Sequence, residues 1–195
     1  QIVGQINRIK KRISKIDKTR NLQRYRRKKN NIPVITLVGY TNSGKSTLFN
    51  NLTNSKILAK DMLFASLDST IRKIFIKEKY LVFVDTVGFI RALPTGLIDA
   101  FKSTLDEIRN SDVILHIRDI SNIEYLSQKN EVLKVLNELG IDEDDSRIID
   151  VINKIDLIDK KQLTRSNSDK TIHISAIKGE GLENLIKKIT KKIFN

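Results

Sequence analysis

A chain of 195 residues with no cysteine and a formal net charge of +13 has room for one ordinary domain with a real core and a short appendage, but not for two domains. The lack of cysteine excludes disulfides and thiolate metal sites and fits a reducing compartment. No run approaches the roughly 18 consecutive apolar residues of a membrane span, and the first residues carry no apolar signal-peptide core, so the expected protein is soluble; a cytoplasmic location and a monomer are further expectations.

Most of the charge lies at the start. Residues 1–32 hold twelve Lys and Arg against the single Asp17, so +11 of the +13 sits there and +2 is left for everything after. In the same stretch Ile2, Ile6, Ile9, Ile13 and Ile16 recur at spacings of 4, 3, 4 and 3, the seam of a helix that packs on another helix. The register fails beyond Ile16, and the cationic cluster RYRRKKNN at 24–31 runs into Pro33, which disfavours helix at the residue before it. A basic helical segment over 1–32 is therefore expected. With Gln at position 1 and no partner helix in the sequence, the chain reads as a piece of a longer protein whose partner helix lies upstream.

From Pro33 onward, short apolar runs alternate with amphipathic stretches. The runs VITLV (34–38), RKIFI (72–76), YLVFV (80–84), VILHI (113–117), RIIDVI (147–152) and TIHI (171–174) predict strands; helices are predicted at about 45–53, 96–109, 122–139 and 181–194. That alternation predicts an α/β domain over 33–195, a mostly parallel six-stranded sheet with helices on both faces. The DEDD at 142–145 and the SNSD near 167 read as solvated loops. His116 and His173 sit inside apolar strands and read as satisfied structural histidines. Leu97, Phe101, Leu105 and Ile108 form a helical stripe expected to be core.

Strand 34–38 runs into GYTNSGKS at 39–46, a phosphate-loop pattern. Its glycines let successive backbone N–H groups turn inward, and the helix that follows adds its positive end. Lys45 would reach the β- and γ-phosphates, and the Ser46 hydroxyl would bind Mg²⁺. The base is chosen elsewhere, because ATP and GTP offer this loop the same triphosphate. After run 147–152 comes NKID at 153–156. Asp156 can accept both guanine N1 and N2 protons, Asn153 can contact the other edge of the ring, and the Lys154 stem can lie over its face. Adenine would set that carboxylate against an acceptor; sites built on such hydrogen bonds discriminate by roughly 10⁴–10⁵. The SAI at 175–177 closes the last strand and offers a backbone amide to the guanine carbonyl. Asp85 ends strand 80–84, where an Asp can hold the magnesium's water shell, and the Gly88 amide can meet the γ-phosphate. These motifs in this order mark a guanine-nucleotide binder.

The sequence also resembles one family, the HflX GTPases, over essentially its whole length. The resemblance rests on GYTNSGKSTLFN, LFASLDSTIRK, DTVGFI, AFKSTLDE and LHIRDIS; DTVGFI together with AFKSTLDE is specific to the family. Residues 1–32 resemble the end of the helical segment joining that family's N-terminal domain, absent here, to its G domain. The resemblance implies a P-loop NTPase of the Ras-like G-domain type that hydrolyses GTP to GDP, binds the large ribosomal subunit and its RNA, and splits or rescues stalled ribosomes. It implies that Gly39, Tyr40, Thr41, Asn42, Ser43, Gly44, Lys45 and Ser46 bind phosphate, with Thr47 also in the nucleotide site. Phe64, Ala65, Ser66, Leu67 and Asp68 would form a first switch, and Asp85, Thr86, Val87 and Gly88 a second. Asn153, Lys154, Ile155 and Asp156, with Ser175, Ala176 and Ile177, would hold the base. The catalytic positions are then Lys45, Ser66 and Gly88, and the metal positions Ser46, Ser66 and Asp85. Ser66 is a departure: the family usually has threonine there, and serine keeps the hydroxyl without the methyl that restricts its rotamer.

Phe89 follows the second switch at the place where switching GTPases often carry the glutamine that orients water. Phenylalanine can make no such hydrogen bond, so slow hydrolysis alone and stimulation by the ribosome are expected. Asn42 raises a second expectation, a K⁺ beside the phosphates. The basic arm is expected to contact RNA. Two other functions share the nucleotide motifs: a ribosome-assembly or tRNA-modification GTPase, and an RNA-binding module that holds GTP without turning it over.

Overall fold

The computed structural model describes residues 19, 22, 24–54, 69–89, 104–159 and 171–194. The isoleucine seam at 2–16, the first switch at 64–68, and Leu97 and Phe101 lie outside them. Contacts divide the chain at Pro33 into two compact units, 1–33 and 34–195.

In the first unit, residues 24–29 are helical and stop in a Schellman motif. Asn31 adopts the left-handed conformation at φ 48, its N–H bonds Lys28 O at 3.2 Å, and the Ile32 N–H bonds Arg27 O at 3.1 Å. These two bonds satisfy carbonyls that the end of a helix would otherwise leave open.

The second unit is built on one six-stranded sheet. Its strands are β1 (Val34–Gly39), β2 (Thr70–Ile76), β3 (Lys79–Asp85), β4 (Val113–Asp119), β5 (Ile148–Asn153) and β6 (Thr171–His173). Their order is β2-β3-β1-β4-β5-β6, and only the β2–β3 pair is antiparallel. Helices α1 (Lys45–Thr53), α2 (Tyr125–Glu138) and α3 (Leu182–Phe194) accompany it, and residues 104–109 are helical as well.

Every residue of β1 is buried, as a central parallel strand covered on both faces requires. Alternation then sorts side chains between two cores. Ile35, Leu37, Leu115, Ile117 and Val151 pack with Leu48 and Phe49 of α1 and Leu185 and Ile189 of α3. Val38 and Ile114 point the other way and pack with Ile108, Phe89 and α2 residues Val132 and Leu136. β2 is one of the two edge strands of this sheet, with an apolar inner row of Ile74 and Ile76. The turn from β2 to β3 puts two non-glycine residues, Lys77 (φ 47) and Glu78 (φ 62), in the left-handed region, the type I′ geometry that usually selects Asn-Gly.

Both histidines lie in the strands where they were expected, but neither is fully satisfied. The Nε2 atoms of His116 and His173 are buried and have no hydrogen-bond partner among the described residues. Across the register His116 faces Asp150, whose oxygens are held by Arg118, with Nε to Oδ1 at 2.8 Å. Burial pulls His116 down to about 4, the Asp150 charge opposing only part of that.

Candidate nucleotide-binding site

The candidate site lies at the carboxyl ends of β1, β3, β4 and β5, where ligands bind in open α/β sheets. Between β1 and α1 the chain turns through Asn42 (φ 60) and Gly44 (φ 90). Gly44 is the N-cap of α1, with no side chain bonded to the first-turn amides, so these amides can serve an anion. A Cβ on Gly44 would stand 2.2 Å from Asn153 Nδ2. Only glycine fits both the backbone angle and that approach.

Lys45 is 5% exposed and donates from Nζ to Tyr40 O at 2.8 Å. Burial pulls its ammonium down to about 8, and the Asp85 carboxylate opposes part of the shift. The Ser46 hydroxyl donates to Asp85 Oδ2 at 2.6 Å. Asp85 Oδ1 is buried with no hydrogen-bond partner among the described residues. Burial pushes this carboxyl up, against the Ser46 hydrogen bond and the Lys45 charge. A hydroxyl and a carboxylate side by side, one carboxylate oxygen left over, form a donor set suited to a hard cation such as Mg²⁺.

The residue that follows the expected second switch is tied to the phosphate loop through its backbone. Phe89 N–H donates to Gly39 O at 3.1 Å, and Thr41 N–H donates to Phe89 O at 2.8 Å. The Phe89 ring is 5% exposed and belongs to the α2-side core. The Thr86 hydroxyl donates to Leu37 O at 2.6 Å and Val87 is buried, so these two side chains face the fold. Gly88 lies against the phosphate loop: a Cβ there would come within 2.7 Å of Thr41 Cα and 3.1 Å of Lys45 Nζ.

On the base side, Asn153 is 1% exposed and joins two loops. Its Nδ2 donates to Ser43 O at 2.9 Å, and its Oδ1 accepts from the Ala176 N–H at 2.9 Å. These two bonds leave one Nδ2 hydrogen over among the described residues. The Ser175 and Ala176 amides both have partners, since Ser175 N–H bonds Glu180 O at 3.1 Å. Ser175 Oγ donates to Asp156 Oδ1 at 2.6 Å and so aims that half-buried carboxylate. Lys154 (φ 65) pairs with Asp119 Oδ2 at 2.7 Å, and Asp119 is held by the Ser121 N–H (3.0 Å) and hydroxyl (2.5 Å). Ile155 is half-buried, while Ile177 is 74% exposed.

Asp119 and Asn51, whose Nδ2 donates to Ala176 O, escaped the sequence reading. The signal for Asp119 was present: an acid at the end of an otherwise buried strand needs a partner. Only the strand order shows that this partner is Lys154.

Comparison with known proteins decides the family. A family model described as 50S ribosome-binding GTPase matches residues 34–154. GTPase HflX of Caldanaerobacter subterraneus subsp. tengcongensis is 43% identical over 194 residues, covering 99% of this chain and 44% of that protein. The chain belongs to the 50S ribosome-binding GTPases, as an HflX-type G domain. GTPase HflX of Escherichia coli is 38% identical, covering 97% of this chain and 45% of that protein. This GTPase domain thus spans less than half the length of these curated relatives. A GTP-binding protein from Sulfolobus solfataricus in complex with GDP matches with TM-score 0.64 and 31% identity, covering 91% of this chain and 61% of that one.

Proposed function

We propose that this G domain binds GTP with Mg²⁺, hydrolyses it, and uses the nucleotide state to govern association with the large ribosomal subunit in splitting or rescue. The observation that carries the reading is the pairing of Ser46 with Asp85 beside buried Lys45. On the base side, the Ser175 hydroxyl bonds Asp156 Oδ1, which supports a carboxylate held to accept the guanine N1 and N2 protons. Magnesium would supply charge stabilisation on the transferring phosphoryl group, with Ser46 and Asp85, and Ser66 by resemblance, as its protein partners.

Phe89 supports slow turnover by the domain alone. Its ring is in the core and its N–H and carbonyl are bonded to the phosphate loop, so position 89 has no group with which to orient water. An outside contribution comparable to an arginine finger is worth 10³–10⁵ in rate, or about 4–7 kcal/mol of barrier. The large subunit is the proposed source, and K⁺ near exposed Asn42 is a further proposed contributor. Arg26, Lys28 and Lys29 are exposed on the arm and suit phosphate contacts.

GTP turnover by the chain in potassium buffer, alone and with purified large ribosomal subunits, tests this reading. Slow basal turnover with strong stimulation is expected; GTP binding without stimulation would refute the ribosomal part. Equal rates in sodium and potassium would remove the K⁺ proposal.

A further inference from the structure

The β2–β3 hairpin carries side chains that the nucleotide site does not use. Between positions 72 and 80 stand four cations, Arg72, Lys73, Lys77 and Lys79, against the single acid Glu78. Phe75 and Tyr80 face each other across the antiparallel register, with ring centres 5.0 Å apart and planes tilted by 54°. They are 61% and 51% exposed. Lys73 stands two residues before Phe75, on the same face of the strand, and its Nζ lies 3.7 Å from the centre of the Tyr80 ring. Lys77 and Lys79 extend the charge toward the end of α3: Lys77 Nζ is 3.5 Å from Thr190 Oγ1, and Lys79 Nζ lies 4.0 Å over the Phe194 ring. Lys191 and Lys192 stand in the last turn of that helix.

The fold does not need aromatic rings at these two positions. β2 anchors itself through Ile74 and Ile76 on its inner row, and an outer row at a sheet edge is ordinarily polar. Lysines on an edge strand also discourage the addition of a protein strand. Rings in water beside a dense positive field are instead the combination that holds unpaired nucleic-acid strands, the bases stacking on aromatic faces while cations meet the phosphates. We propose that the outer face of this hairpin is a platform for unpaired RNA bases, with Phe75 and Tyr80 stacking bases and Lys73, on the same face, meeting the backbone, while Lys77 and Lys79 on the α3 side of the strand pair add to the positive field at its edge. This goes beyond nucleotide-governed association, and it adds an RNA contact on the G domain to the one expected of the basic arm.

Fluorescence anisotropy of the full 195-residue chain tests it, with a labelled single-stranded RNA of about ten nucleotides and a duplex RNA of the same length as probes. Stacking is worth about 5- to 150-fold in affinity per base, so Phe75→Leu and Tyr80→Leu should each weaken single-strand binding at least fivefold. Both keep apolar bulk on the strand, should leave duplex binding unchanged, and should leave GDP affinity unchanged as a check on folding. Phe75→Trp should retain single-strand binding. Lys73→Gln should reduce the slope of log affinity against log salt by about 0.7. The platform is overturned if both leucine variants bind the single strand as tightly as wild type, or if they weaken duplex equally, which would leave a sequence-blind electrostatic surface. It is also overturned if an acidic peptide displaces the single strand while the leucine variants lose only the peptide, which would make the face a protein site. GTP turnover stimulated by large subunits is read separately, so failure of the platform and failure of the ribosomal reading are distinguishable.

Discussion

Replacing Asn153 separates two roles for the first residue of the proposed base-recognition motif. In the structure its amide bridges Ser43 O and the Ala176 N–H, each at 2.9 Å, in a position that is 1% exposed. Asn153→Ala would leave a buried carbonyl and a buried amide without these partners. Each buried orphan costs about 1–3 kcal/mol, so a loss of about 2–6 kcal/mol is expected in the nucleotide-free domain. Against a typical total of about 5–15 kcal/mol, the domain should still fold at the lower end of that loss. With a urea slope of about 2 kcal/mol/M, a loss of 3 kcal/mol moves the midpoint down by about 1.5 M. Asn153→Asp is expected to do more damage, because it still accepts from Ala176 but turns a carboxylate oxygen toward Ser43 O, placing two acceptors together and burying a charge. Urea denaturation of the nucleotide-free chain, with GDP affinity measured in parallel, checks both. Unchanged midpoints with affinity lost in both variants would mean that Asn153 serves the purine ring alone, and would sink the bridging argument.

Asp119→Ala should free Lys154 and weaken GDP binding by about tenfold, or 1.4 kcal/mol, while preference for guanine over adenine persists because Ser175 still aims Asp156; competition binding with GDP and ADP reads both. His116 is about 4 folded against about 6.5 unfolded, so the contribution of this buried neutral imidazole is intact above pH 6.5 and is lost as pH falls toward 4. His116→Leu should therefore flatten the fall of stability between pH 6.5 and 4 by up to one proton, measured as urea midpoint against pH. Glu78→Gly relieves one left-handed residue of the β2–β3 turn and should raise stability by about 1 kcal/mol, read by thermal melting. Lys45 at about 8 is partly neutral near pH 8, and phosphate would restore its charge; GDP binding at pH 8 should take up a fraction of a proton that Lys45→Met does not, seen as a buffer-dependent binding enthalpy.

Apolar runs and phosphate-loop spacing made most of this domain legible. VITLV is buried throughout because a central parallel strand is covered twice, and a pattern that reads buried on both faces leaves few other placements. GYTNSGKS places its lysine and serine by chain connectivity alone. Residues that act across strands were harder to read. Asn153 was expected as a ring contact, but its bridge between Ser43 and Ala176, on two other loops, could not be read from the motif. His116 looked satisfied because strand histidines usually are, but Arg118 already holds the oxygens of the acid opposite it. Phe89 raised the question of missing chemistry, and no local pattern announces either its packing with Val38 and Ile108 or its bridge to Tyr40. The Lys77–Glu78 turn lacked Asn-Gly; there the β2–β3 register overrode turn preference.

The two halves of the site differ in how completely the protein satisfies its own polar groups. On the base side Asn153, Ser175 and Asp119 bond across loops, so the geometry that would meet guanine is held by the fold itself. On the phosphate side Asp85 Oδ1 has no described hydrogen-bond partner, and Lys45 is held with its charge disfavoured. Buried charge left this way works against the folded state until an opposite charge arrives. Nucleotide and metal would relieve both at once, so their binding energy would act mainly at the phosphates and on the segments next to them. This division of labour would suit a switch: the proposed base side is preorganised, while the gain from ligand would be concentrated where Gly88 of the expected second switch, and Phe89 after it, already touch the phosphate loop.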